Sequence, residues 1–123
     1  MALLDLSDEE FEELVDRAWK RIPQRFLDAL DNVVVVIQDE PDGSAVAQSE
    51  EQPLLGLYTG IPVTERFEYS GVMPDVITIY QGSLQRICKT VEELAEQIYV
   101  TLIHEIGHYF GLGDERLQEL NWG

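Results

Sequence analysis

The stretch from Thr90 to Gly111 constrains the fold most, because it opens on a helix-start signal and closes on a helix-stop signal. Thr90 with Glu93 three residues later is a capping box, in which side chain and backbone satisfy each other's free donors. Gly111 suits the left-handed position just past a helix, and Gly113 follows it closely. The spacing predicts one long helix ending near Phe110. On a wheel of about 100° per residue, Val91, Leu94, Ile98, Tyr99, Leu102, Ile103, Ile106 and Tyr109 share one broad arc. A helix with such an arc lies across a core.

Both histidines of the chain, His104 and His108, fall on this helix, with Glu105, Ile106 and Gly107 between them. Residues four apart stack on one helix face, so both imidazoles can reach a single ion. The pair lies beside the apolar arc, whereas a histidine packed for structure more often lies within it. Chance alone gives H-E-x-x-H in roughly one in 500 chains of this composition. Zinc accepts imidazole nitrogens at roughly 2.0–2.1 Å and needs further ligands, so one Zn2+ per chain is expected. Glu105 is turned about 100° from His104, which keeps it from competing as a ligand and suits it to general-base work on a water. Three residues past Gly111 comes Asp114, a carboxylate able to complete the site. Glu115 and Glu119 remain open as alternatives.

Upstream, Ser7 with Glu10 opens a first helix to about Lys20, with Phe11, Leu14, Val15, Ala18 and Trp19 at helical spacing. Pro23 suits the first position of a short second helix carrying Phe26, Leu27 and Leu30, which Asn32 ends. Val33 to Gln38 reads as a strand buried on both faces. Asp39 to Gln52 is polar and reads as a loop. Leu54–Thr59 and Thr64–Tyr69 suit short strands, and one of them offers an edge for an extended substrate. Asp75–Tyr80 is β-branched almost throughout and reads as a strand. Gln81 to Lys89 reads as a connector with one helical turn from Ser83, and Asp114 to Leu120 as a further turn or two. Helices, then strands, then a buried helix describe an α+β layer fold with a small mixed sheet.

Composition narrows the partners. The 123 residues suit a single domain, and 45% hydrophobic content is enough to build a core. Lys plus Arg number 8 against 24 Asp plus Glu, a formal net charge of −16. Such a surface repels nucleic acid and anionic lipid, and it favours basic peptide or protein partners. The single cysteine, Cys88, points to a reducing, cytoplasmic setting and reads as a packing residue. The start of the chain carries no signal-peptide pattern, and no apolar run is long enough to span a membrane.

The run from His104 to Asp114 follows H-E-x-x-H-x-x-G-x-x-D, and the chain resembles the small zincin-like metallopeptidase family, a short bacterial group. The likeness extends from the N-terminal helices through Leu55-Gly56-Leu57-Tyr58 to Asp114-Glu115. It implies a minimal zincin-like α+β domain over residues 1–123: a small mixed β-sheet, a backing helix and a long active-site helix. It also implies zinc held by His104, His108 and Asp114, with Glu105 as the catalytic base of peptide-bond hydrolysis. Larger relatives differ. Metzincins carry a third histidine where Asp114 stands and then a Met-turn, but Met1 and Met73 both precede this motif. Gluzincins take a glutamate from a downstream helix, and nine residues follow Asp114.

Two other functions fit the same motif: a metal-bound module that recognises peptides or proteins without cleaving them, and hydrolysis of a non-peptide amide. Tyr58, Tyr69, Tyr80 and Tyr109 are candidate oxyanion donors, although a buried tyrosine with a satisfied hydroxyl is the commoner case.

Overall fold

Helix α1, Asp8–Arg21, begins where its capping box puts it in the computed structural model, which describes residues 4–41, 54–60 and 74–111. The Glu10 N–H donates to the Ser7 hydroxyl at 3.2 Å, and the Ser7 N–H donates to the Glu10 carboxylate at 2.9 Å. Phe11, Leu14, Val15 and Ala18 form its buried stripe. Helix α2, Gln24–Ala29, is short, and Pro23 precedes it as the N-cap, one place earlier than expected. Asn32 stands outside the helix at φ 58, the left-handed turn that leads into the first strand.

Three strands follow: β1, Val33–Gln38; β2, Gly56–Thr59; and β3, Asp75–Tyr80. Their order is β1-β3-β2, with β1 parallel and β2 antiparallel to β3. The sheet is therefore mixed, as the sequence suggests. Central β3 reads as an almost unbroken apolar run because it has a neighbour on each side, and Ile77 and Ile79 are wholly buried. β1 departs from the expectation of burial on both faces. Its residues alternate between half-buried and exposed, and Val34 and Val36 are 42% and 38% exposed. The reason is its place: among the described residues β1 is an edge strand, and the described helices cover the face carrying Val33, Val35 and Ile37.

Residues expected as a connector form helix α3, Gln81–Ile87, directly after β3. Leu84 is fully buried there, and Arg86 holds Glu40 through two hydrogen bonds, which keeps the Glu40 carboxyl below its ordinary range. Helix α4, Val91–Tyr109, is the long one. Its N-cap Thr90 accepts the Glu93 N–H at 3.1 Å. Leu94, Ile98, Leu102 and Ile106, spaced four apart, are all at 0% exposure and pack against α1 and β3. Each such burial is worth about 1.5–3 kcal/mol, so this stripe seats the helix firmly. Val91, expected on the same arc, is 44% exposed because it lies in the first turn, beyond the edge of the core.

Cys88 is buried among apolar neighbours, which pushes its thiol above the ordinary range and fits a packing role. Trp19 packs half-buried on the core. No helix among the described residues is long and apolar enough to cross a membrane. The expected loop between residues 42 and 52, the strand Thr64–Tyr69 and the turns from Asp114 to Leu120 lie outside the described residues.

Candidate metal centre

His104, Glu105 and His108 come together on the last two turns of α4, with one ligand atom from each lying within 4.8 Å of the others. The imidazoles are half-buried, and their rings meet edge-on at 4.7 Å. Glu105 between them is only 6% exposed. Two nitrogens each about 2.1 Å from one ion stand at most about 4.2 Å apart, so small side-chain rotations suffice for a shared ion. Two neutral imidazoles with a nearby carboxylate suit zinc, a borderline cation that takes nitrogen and oxygen ligands alike. The C-terminal end of the helix dipole adds favourable potential for a cation beside His108.

Local packing fixes the end of the helix that carries these residues. Tyr109, next to His108, is buried at 1% exposure, and its hydroxyl accepts the Asp31 N–H at 3.0 Å. The Phe110 ring meets the Phe26 ring of α2 at 6.3 Å. Gly111 then takes φ 84 and donates its N–H to the His108 carbonyl at 2.9 Å. The helix therefore stops within one turn of His108, at a backbone that glycine adopts without strain.

Glu105 is buried because β2 lies across it. A Cβ placed on Gly56 would sit 2.6 Å from the Thr101 methyl, 3.2 Å from the Thr78 carbonyl oxygen and 3.4 Å from Glu105 Cγ. Gly56 thus sets how closely β2 approaches α4 at the candidate base. The Thr101 methyl cannot swing aside cheaply, since its hydroxyl is bonded to the Gln97 carbonyl at 2.7 Å. Gly56→Ala is expected to destabilise the fold by about 1–3 kcal/mol, read by urea unfolding. Adding Thr101→Ser, which removes the obstructing methyl, should recover part of that loss, and additive losses would show that the two positions do not collide. The spacer role of Gly56 was missed in the sequence. Its one signal is an isolated glycine within a strand pattern.

The hydroxyls of Tyr109 and Tyr58 bond to the Asp31 N–H and to Asp75. Tyr58 donates its hydroxyl to the buried Asp75 carboxylate at 2.6 Å, and its ring meets Tyr109 edge-on at 6.1 Å. Tyr80 is buried at 3% exposure, and Tyr69 lies outside the described residues. Asp114, Glu115 and Glu119 also lie outside them, so the described site comprises the two histidines and Glu105.

A small mixed sheet with one outer strand lying over a helix that bears H-E-x-x-H is a zincin-like arrangement. The family model for zincin-like metallopeptidases matches residues 30–123, and the chain belongs to that family. Among solved structures, a conserved hypothetical protein from Thermus thermophilus is similar at 25% identity and a TM-score of 0.57. That alignment covers 94% of this chain and 97% of the other. No curated protein matches the chain.

Proposed function

We propose that this protein is a zinc-dependent metallopeptidase in which His104, His108 and Asp114 hold the metal and Glu105 is the general base. The observation that carries the reading is the burial of Glu105 between two half-buried histidines, directly under β2. A carboxylate held beside a cation site is placed to accept a proton from a water bound there. When bound, zinc would supply Lewis acidity towards a carbonyl oxygen and a water. Glu105 takes the proton of the attacking water and then delivers it to the departing amine, so one side chain serves both steps. Among the described residues β2 is an outer strand, so an extended substrate can pair with its backbone and lie across the site.

The test is incubation of the zinc-loaded protein with a library of unstructured peptides, with products read by mass spectrometry. Cleavage is expected that stops on chelation and returns with added zinc. A metal-loaded protein that cuts nothing across the library favours the module that binds without hydrolysis.

A further inference from the structure

Among the described residues, the β1 side of the sheet, opposite β2, carries its own trench. Between α1 and β1 lies a groove of about 500 Å³ lined by Val15, Trp19, Val33, Val35 and Ile37, with Glu12 and Asp16 on its rim. It runs on, past Glu12 and Ile37, into a second hollow of about 520 Å³ whose wall carries Asp5, Asp8 and Asp39. The trench is thus apolar at one end and acidic at the other. Among the described residues Asp16 is paired with Lys20, whereas Glu12 is exposed and has no ion pair.

The backbone beside the apolar half is also open. The Asp75 N–H donates to the Asn32 carbonyl at 2.9 Å, and Val33 pairs with Asp75 in the parallel register. In a parallel ladder alternate residues bond inward, so Val34, Val36 and Gln38 face β3 with their N–H and C=O groups. Val33, Val35 and Ile37 therefore turn theirs outward, on the side of β1 that has no strand beside it among the described residues. An apolar run of this kind on a free edge is a pairing template that proteins ordinarily keep covered.

We propose that β1 is a docking edge for an extended segment of a partner protein, one with alternating apolar residues flanked by basic ones. The apolar side chains enter the groove over Val35, the backbone adds a strand to β1, and the basic flank meets Glu12 and the Asp5, Asp8 and Asp39 wall. A second copy of this chain is a poor occupant, because each carries a net charge of −16 and the rim is acidic.

The probe is the blocked peptide Lys-Arg-Val-Thr-Val-Thr-Val-Arg-Lys, added to the Glu105→Gln chain so that it is not cut. This test does not depend on the peptidase reading, since docking needs neither Glu105 nor metal. Binding is expected to slow amide exchange at Val33, Val35 and Ile37, and to weaken about tenfold or more when salt is raised from low to physiological strength. Glu12→Lys, at an exposed position of α1, should weaken it about tenfold at low salt. A peptide with glutamates in place of its basic residues should not bind, nor should one N-methylated at alternate residues. Equal binding of either peptide, protection of Gly56–Thr59 instead of β1, or self-association of the protein with no peptide binding would overturn the proposal.

Discussion

Glu105→Gln is expected to keep its full zinc content while peptide hydrolysis falls by about 10²–10⁴-fold, the usual contribution of a positioned acid or base. The amide fills the same volume, which matters because Glu105 is 6% exposed and its Cγ faces Gly56 of β2. Packing and ligand positions are therefore conserved, and only the ability to accept a proton is lost. Glu105→Asp is the companion variant. It keeps the base but draws the carboxylate back by one methylene, and a misplacement of about 1 Å can itself cost 10²-fold. A large loss in both variants with unchanged metal content ties the activity to the position of one proton acceptor. Elemental analysis gives the metal, and kcat and KM measured separately give the chemistry. Hydrolysis that survives Glu105→Gln unchanged would remove this residue from the mechanism.

The candidate site was legible because its signals are local. Two histidines four apart need only a helix to become neighbours, and Thr90, Glu93 and Gly111 mark the ends of that helix in the sequence itself. β3 was legible for a similar reason, since a central strand is β-branched whatever covers it. What the sequence hid depends on neighbours distant along the chain. Val33–Gln38 has the composition of a doubly covered strand, but its place at the edge of the sheet among the described residues leaves Val34 and Val36 exposed. Residues 81–87 lack a strong cap and coil only because Leu84 finds the core, while Gln81 and Gln85 bond each other and the Leu6 backbone. Gly56 looks like an ordinary strand glycine until α4 is packed beside it, when the missing Cβ becomes the space that β2 needs.

Replacing His104 or His108 with alanine is expected to remove most of the one zinc per chain that the purified protein should carry. Each histidine supplies a nitrogen that no other described side chain can replace, because the remaining member of the group is the Glu105 carboxylate alone. The loss should exceed the 10–100-fold typical of disturbing a residue that merely orients a ligand. Asp114 is the proposed third ligand because of its place in the sequence just past the end of this helix. Gly111 at φ 84, with its N–H on the His108 carbonyl, stops α4 within one turn of the second histidine. The chain therefore leaves the helix beside the histidine pair, and Asp114 is three residues further on. Adjacent side chains rarely share a direction, so substitutions at Asp114 and at Glu115 should differ sharply in their effect. Asp114→Ala is expected to weaken zinc binding strongly and Glu115→Ala hardly at all. Asp114→His should restore it in part, because imidazole is an equally good ligand for this ion. Titration of each variant against a competing chelator orders the affinities. A larger loss in Glu115→Ala than in Asp114→Ala would move the third ligand by one residue and leave the histidine pair standing.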